Sequence, residues 1–204
     1  MKTVTLSTLV ADTGETPRTL NSWSDFGILL AERSTERRGR GHRRRYRAEP
    51  MYGERKWALL ASALSKLRLP LAEIKHLIYS MRLMYDPADQ VRQYADPSHL
   101  EFHARRATML DPTLRDQTGP PFLLHPWFED ALAGKPHVLA ILVQRRDKPF
   151  VVTFLHYGDD DPKSADSNML HLNTVMSYGP TALVLNLSKI FEPLYSNREP
   201  VDAE

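Results

Sequence analysis

An arginine-rich run at residues 33–46 has the most evident capacity for chemistry in this chain. It reads RSTERRGRGHRRRY and sets seven arginines against one acidic residue, Glu36. So many guanidinium groups repel one another unless an anion compensates their charge, and arginine favours forked hydrogen bonds to phosphate. Gly39 and Gly41 suit the tip of a hairpin. The run therefore predicts contact with a polyanion; the competing interpretation is a flexible basic segment that has no partner.

A short helix and a tight turn are predicted near the N-terminus. Leu6, Leu9 and Val10 recur at the spacing of one helical face, and Gly14 supplies the left-handed conformation that ends a helix. A turn of about three residues around Gly14 then leads to a second helix, which is the spacing of a helix-turn-helix.

The second helix has clear start and stop signals and an apolar side. Thr16 can cap its N-terminus, and Pro17 suits the first helical position because the N–H there has no partner within the helix. Leu20 and Trp23 are predicted to face inward, with Phe26 close by, and the glycine that follows is predicted to end the helix.

The opposite side of this helix carries side chains that suit nucleic-acid recognition. Arginine can form paired hydrogen bonds to guanine, asparagine can do so to adenine, and hydroxyl groups reach phosphates. The residues predicted to make such contacts are Arg18, Thr19, Asn21 and Ser22. The alternative interpretation is a solvated polar surface.

Two longer helices, over residues 54–67 and 70–84, are predicted after the arginine-rich run. Their apolar residues step by three and four along the chain, as in helices that bury one side. Their predicted role is to support the first two helices, and no chemistry is assigned to them.

The distribution of charge divides the chain at the end of these helices. Residues 1–85 contain 16 Lys and Arg against 8 Asp and Glu, whereas residues 86–204 contain 11 against 17. Positive charge confined to one part of a chain indicates a surface that binds a polyanion.

The order of these features resembles the DNA-binding domain of MerR-type winged-helix regulators. The resemblance covers about residues 3–83 and is carried by four stretches: TLSTLVADTG, TPRTLNSWSDFGIL, RGRGHRRRY and WALLASALSKLRLPLAEIKHLI. They are similar to the first helix and its turn, the recognition helix with its Gly-Ile-Leu exit, the wing, and the pair of supporting helices.

The resemblance implies a transcription regulator that binds a palindromic promoter element as a homodimer, with RNA polymerase as a candidate further partner. It adds Thr16 to the contacts of the recognition helix, and it implies that Trp23 touches the DNA backbone or packs beneath the helix. In the wing, phosphates would be held by arginines and Tyr46 would anchor the base. The predicted wing contacts are Arg37, Arg38, Arg40, His42, Arg43, Arg44, Arg45 and Tyr46.

Residues 86–98 are predicted to be a linker, and residues 99–204 a small α+β domain. The clearest signal in this domain is a pair of apolar runs, His137–Gln144 and Phe150–Tyr157, which predict two buried strands of an antiparallel hairpin. Its function is left open between a ligand sensor and a dimerisation or protein-contact domain.

Other elements of this second domain are predicted to be helical. Ser98 to Leu110 is predicted as a short helix, and residues 127–133 as a helical turn closed by Gly134. A further helix is predicted from one apolar face, formed by Leu183, Leu187, Phe191 and Leu194.

Composition and motifs argue against several other functions. The chain contains no cysteine, which excludes disulfides, zinc–thiolate sites and thiol catalysis. Neither catalysis nor a cofactor or metal is predicted, because phosphate-binding glycine loops, hydrolase motifs and metal-ligand spacings are absent from the sequence. No run approaches the ~20 apolar residues of a membrane helix, and a cytoplasmic, nucleoid-associated protein is expected.

The sequence therefore predicts an α+β protein with two domains. The first, residues 1–85, is a winged helix-turn-helix of four helices and a basic wing, and the second contains an antiparallel β-hairpin. The predicted function is sequence-specific binding of double-stranded DNA in transcription regulation. Two alternatives remain: a DNA-bending recombination accessory protein of the excisionase kind, and an RNA-binding module that uses the arginine-rich run alone.

Overall fold

The structure, a computed structural model of the 204-residue chain, describes seven stretches of it. They are residues 3–32, 44–48, 53–85, 130–134, 138–145, 148–156 and 181–195. The predicted linker at residues 86–98, the predicted helix from Ser98 to Leu110, and the glycines of the predicted hairpin tip lie outside the described residues.

Helix α1, Leu6–Thr13, begins and ends as the sequence predicted. The hydroxyl oxygen of Thr5 accepts a hydrogen bond from the N–H of Thr8 and so caps the first turn. Gly14 adopts a φ of 70° and donates its N–H to the carbonyl of Val10 at 2.9 Å. Glycine takes this left-handed conformation without the steric cost of a Cβ atom.

Helix α2, Pro17–Phe26, follows after a three-residue turn. The hydroxyl oxygen of Thr16 accepts from the N–H of Thr19 at 3.1 Å, and Pro17 occupies the first helical position. At the other end Gly27, with a φ of 79°, closes the helix. The predicted start and end of α2 are both confirmed.

The two residues of α2 that were predicted to face inward are both buried. Leu20 and Trp23 are buried, whereas Phe26 is 42% exposed. The Lys75 ammonium group lies 5.2 Å from the centre of the Phe26 ring, so this aromatic side chain meets a cation at the surface. Phe26 therefore lies at the surface and not in the core.

Helices α3, Gly53–Lys66, and α4, Leu71–Tyr85, confirm the two predicted supporting helices. Helix α3 contacts both α1 and α4. The four helices share an apolar core whose buried members include Leu9, Leu20, Trp23, Trp57, Leu60, Leu64, Ile74 and Leu77. Full burial of each large apolar side chain contributes roughly 1.5–3 kcal/mol, so this core holds α1 and α2 on the supporting pair.

A small antiparallel sheet borders the helices. Strand β1, Thr3–Thr5, pairs with strand β2, Arg45–Arg47, and Val4 lies opposite Tyr46. On its other side Tyr46 forms an antiparallel bridge with Ala31, so its backbone lies between two segments. Strand β1 was not predicted from the sequence.

A second sheet contains three antiparallel strands in the order β4–β3–β5. Strands β3, Val138–Arg145, and β4, Lys148–His156, form the predicted hairpin. Strand β5, Thr181–Asn186, pairs with β3 on the other side. The described residues thus form a mixed α and β fold with two antiparallel sheets.

The helix predicted from Leu183 onward is wrong in its first half, because residues 181–186 form strand β5. Burial alternates along this strand, with Leu185 at 5% exposure and Val184 at 59%, which is the period of a strand that buries one face. Helices α5, Leu187–Ile190, and α6, Glu192–Tyr195, then follow, and the Asn186 side chain caps α5.

The end of the chain's described part packs back on the helices. Helix α5 contacts α3, and strand β4 contacts α4. Phe191 and Leu187 are fully buried, and the Tyr195 hydroxyl donates to the carbonyl of Ser188 at 2.6 Å. Burial, more than the neighbouring Glu192 carboxylate, raises the pKa of the Tyr195 phenol above its usual value of 10.0.

Two further features concern the remaining described residues. Residues 130–132 are helical and Gly134 follows with a φ of 86°, which agrees with this part of the turn predicted to close at Gly134. Among the stretches that the structure describes, no helix combines the length and apolar character needed to cross a membrane.

Candidate nucleic-acid interface

Helix α2 presents the predicted contact residues on the side opposite its buried side chains. Arg18 and Ser22 are exposed, and Thr19 and Asn21 are partly exposed. Trp23 is only 2% exposed and belongs to the core. Of the two roles that the family resemblance implied for Trp23, packing beneath the helix is the one that agrees with this position.

The N-terminus of α2 is organised by two threonine hydroxyls. The Thr16 and Thr19 oxygens lie 2.9 Å apart, and Thr16 also accepts from the Thr19 backbone N–H. The amide groups of a first helical turn carry partial positive charge that favours a nearby anion. The exposed Arg18 guanidinium adds a full charge at the same end of the helix, so this surface can accept a phosphate group or the acceptor edge of a base.

Two side-chain contacts that the sequence did not reveal hold the turn between α1 and α2 on α3. The Arg55 guanidinium binds both carboxylate oxygens of Asp12, at 2.6 and 2.7 Å. The Ser62 hydroxyl donates to the Glu15 carboxylate at 2.8 Å. Asp12 and Glu15 lie on either side of Gly14, so both ends of the turn are fixed to the same helix.

Strand β2 brings a second set of predicted residues against α2. The Tyr46 side chain is fully buried, and its hydroxyl lies 2.8 Å from the Ser24 hydroxyl. The Arg44 guanidinium donates to the backbone carbonyl of Asn21 at 3.0 Å and to the Asp25 carboxylate at 2.5 Å. Between these two residues, Arg45 is exposed. The structure places Tyr46 against α2, and its expected role at the base of a wing stays a prediction.

The residue that precedes the arginine-rich run is held beside the end of the run. The N–H of Glu32 donates to the carbonyl of Arg45 at 2.8 Å, next to the bridge between Ala31 and Tyr46. The predicted contacts inside the run lie outside the described residues, and they are Arg37, Arg38, Arg40, His42 and Arg43. Their role in binding stays a prediction.

A buried ion pair fixes the exit of α2 to the supporting helices. Arg82 on α4 binds both carboxylate oxygens of Glu54 on α3, at 2.7 and 2.6 Å, and both side chains are at most 5% exposed. Glu54 also accepts from the N–H of Leu30 at 3.0 Å, and Arg82 donates to the carbonyl of Ile28 at 3.1 Å. The Arg82 guanidinium lies 4.9 Å from the centre of the Trp57 ring.

Sequence reasoning assigned no chemistry to this pair. Glu54 and Arg82 are 28 residues apart, and each is one charged residue in a helix of ordinary composition. Only the tertiary structure brings them together. In the part of the chain that the structure describes, no group of three or more His, Asp or Glu side chains is placed to hold a metal ion.

Comparison with known proteins does not assign this chain to a family. No protein-family model matches it, and no curated protein matches it significantly. Its function is therefore inferred from its own residues and their geometry.

Proposed function

We propose that this protein is a sequence-specific double-stranded DNA-binding regulator of transcription that acts as a homodimer on a palindromic promoter element. The observation that carries the proposal is the outer surface of α2. Arg18, Asn21 and Ser22 lie on the solvent side of this helix, while its other side is fixed in the core and its entry turn is fixed to α3.

The polar surface of α2 has the size and chemistry of a recognition helix. The major groove of DNA is wide enough to admit an α-helix, and its base edges offer paired acceptors on guanine and an acceptor–donor pair on adenine. Arg18 is suited to guanine and Asn21 to adenine, while the Thr16, Thr19 and Ser22 hydroxyls suit neighbouring phosphates.

The arginine-rich run supplies the second part of the proposed interface. Tyr46 at its end forms a bridge with Ala31, which precedes the run by two residues, and the Tyr46 hydroxyl lies 2.8 Å from the Ser24 hydroxyl of α2. Its arginines would bind phosphates that flank the bases read by α2. The resemblance to MerR-type regulators, the excess of basic residues before residue 86 and this arrangement support the same function.

The rest of the chain is assigned a supporting part in this proposal. Residues 99–204 would set the geometry of the dimer or sense a signal, RNA polymerase would be a further partner at the promoter, and the protein would reside at the nucleoid.

The first test is the selection of genomic fragments by the purified full-length protein, followed by sequencing. Near-physiological salt is needed, because phosphate contacts alone bind any duplex at low ionic strength. We expect enrichment of one short inverted repeat, which would define the half-site and the spacing within the dimer. Featureless recovery of all fragments would contradict sequence-specific recognition.

A substitution on α2 then tests the surface directly. We expect Arg18→Ala to weaken binding of the selected duplex by about tenfold or more, because a paired contact to one base contributes about 1–3 kcal/mol. Lys189→Gln is the matched control: it also removes one exposed positive charge, but on α5. Equal affinities of Arg18→Ala and the wild type in a gel-shift titration would contradict the role of α2.

The same experiments distinguish the two other candidate functions. Clustered direct repeats at a recombination locus would identify an architectural accessory protein in place of a promoter regulator. Structured RNA that outcompetes the duplex, together with an unaffected Arg18→Ala variant, would identify an RNA-binding module that uses the arginine-rich run alone.

A further inference from the structure

Two side chains at the end of the arginine-rich run, Arg44 just before strand β2 and Tyr46 within it, attach this segment to the last two turns of α2. Arg44 contacts the backbone carbonyl of Asn21 and the carboxylate of Asp25, and the Tyr46 hydroxyl contacts the hydroxyl of Ser24. Arg44 and Tyr46 are two residues apart, so their side chains leave the extended chain on the same side. These two side-chain attachments hold the segment against α2 in addition to its backbone pairing with β1 and Ala31.

The attachment through Tyr46 has a defined direction. The Ser24 hydroxyl donates its one hydrogen to the carbonyl of Leu20 at 2.9 Å, so the Tyr46 hydroxyl must be the donor in its contact with Ser24. Because Tyr46 is fully buried and its backbone pairs with Val4 and Ala31, the attachment through Tyr46 holds this end of the segment in place against α2.

The attachment through Arg44 directs both terminal nitrogens of the guanidinium to α2. Nη1 donates to the Asn21 carbonyl and Nη2 to Asp25, which uses two of the five N–H donors of this side chain. The Asp25 carboxylate is 67% exposed, and it places a negative charge where a phosphate oxygen would have to approach Arg44. The neighbouring Arg45 is exposed and carries the same charge.

We propose that Arg44 is a positioning residue, which sets the orientation of strand β2 against α2 through Asp25 and the Asn21 carbonyl, and is not a phosphate ligand. This inference rests on the proposed function, since the orientation matters only if α2 and the run engage one duplex together. Asp25 then contributes to DNA recognition through Arg44, although its carboxylate carries the same sign of charge as DNA.

The two possible roles of Arg44 predict opposite effects of Asp25→Asn. If Asp25 holds Arg44 in position, the amide weakens the attachment and binding of the selected duplex falls. If Arg44 is a phosphate ligand, the loss of the competing carboxylate frees it and removes a repulsive charge, so binding strengthens.

The experiment measures the affinity of full-length variants for the selected duplex and for an unrelated duplex of equal length, at one salt concentration. We expect Arg44→Gln and Asp25→Asn each to weaken specific binding about five- to tenfold, and the double variant to bind no more weakly than either, because both remove one charge-assisted contact. Binding of the unrelated duplex should change little, so the specificity ratio falls.

Arg44→Lys and Arg45→Gln complete the design. Lysine keeps the charge but cannot form the fork to two acceptors, so we expect Arg44→Lys to bind the selected duplex as weakly as Arg44→Gln. Arg45→Gln removes the same charge one residue away and should weaken both duplexes equally, as the loss of a phosphate contact does. Thermal unfolding of each variant verifies that it is folded.

Two results would overturn the inference, and they differ from failure of the proposed function. Tighter binding by Asp25→Asn, or full affinity in Arg44→Lys, would identify Arg44 as a phosphate ligand while DNA binding by the protein stands. A wild-type protein without preference for any duplex would instead contradict the proposed function, and the inference with it.

Discussion

At the residue scale, Glu54 and Arg82 form a buried ion pair that lies outside the candidate interface. Removing two charges from water is costly, so such a pair adds little net stability over apolar side chains of the same volume. The pair instead fixes the backbone that follows α2, because Glu54 accepts from the N–H of Leu30 and Arg82 donates to the carbonyl of Ile28. These two residues lie just after the end of α2.

We expect Arg82→Ala to lower the free energy of unfolding by about 3–5 kcal/mol, because it leaves the Glu54 carboxylate buried without its partner. Urea denaturation followed by tryptophan fluorescence measures the change. The control is Glu54→Leu combined with Arg82→Met, which removes both charges and keeps the volume. We expect this double variant to be markedly more stable than Arg82→Ala, and an equal loss in both would refute the explanation.

At the scale of elements, the turn between α1 and α2 is determined by one glycine and two anchors on α3. Gly14 supplies the left-handed backbone, while Asp12 and Glu15 bind Arg55 and Ser62. No heavy atom outside its chain neighbours lies within 4 Å of the place where a Cβ at Gly14 would be. A substitution there therefore changes the conformational energy of the turn and little else.

Gly14→Ala should lower the free energy of unfolding by about 1–2 kcal/mol, since alanine at positive φ meets its own backbone. Gly14→Asn is the informative companion, because asparagine tolerates the left-handed region and should cost clearly less. Urea denaturation of both variants provides the comparison. An equal loss in the two would mean that packing, and not backbone conformation, determines the residue at this position.

The elements that could be predicted from the sequence are those whose signals are local. Helices α1 and α2 carry their caps within a few residues, and α3 and α4 show apolar periodicity over several turns. Strand β1 has only three residues, and its partner strand lies about 40 residues away, so no local pattern marks it.

Strand β5 was misinterpreted for a related reason. Leu183, Leu187 and Phe191 share a helical spacing across two elements, a strand and a short helix, and Leu185 was left out of the pattern. In the candidate site, the outward surface of α2 was predictable from its polar residues. The roles of Asp25, Asp12 and Glu54 were not, because each depends on a cation from a distant part of the chain.

At the scale of the whole molecule, the helices and the second sheet share buried contacts. Phe191 is fully buried on the segment between α5 and α6, and α5 contacts α3 of the supporting pair. Two of the three tryptophans, Trp23 and Trp57, lie in the core of the helices. Their fluorescence therefore reports on the helices when a distant residue is changed.

We expect Phe191→Ala to lower the free energy of unfolding by about 3–5 kcal/mol. The unfolding transition followed by tryptophan fluorescence should then shift to a lower urea concentration, because the helices and the second sheet unfold together. Val184→Ala, a truncation at an exposed position of β5, should change stability by less than about 1 kcal/mol. If Phe191→Ala leaves the tryptophan transition in place, the helices are an independently stable unit, as a domain boundary between residues 86 and 98 implies.

The pairing of strand β1 with strand β2 imposes an order on folding. During synthesis β1 leaves the ribosome first, but its partner follows only after about 40 more residues, which include α1 and α2. Closing a ring of that size costs entropy until helices have formed inside it and brought the ends nearer. A nascent chain therefore forms α1 and α2 before strand β2 can pair with β1, so this small sheet forms late relative to the two helices.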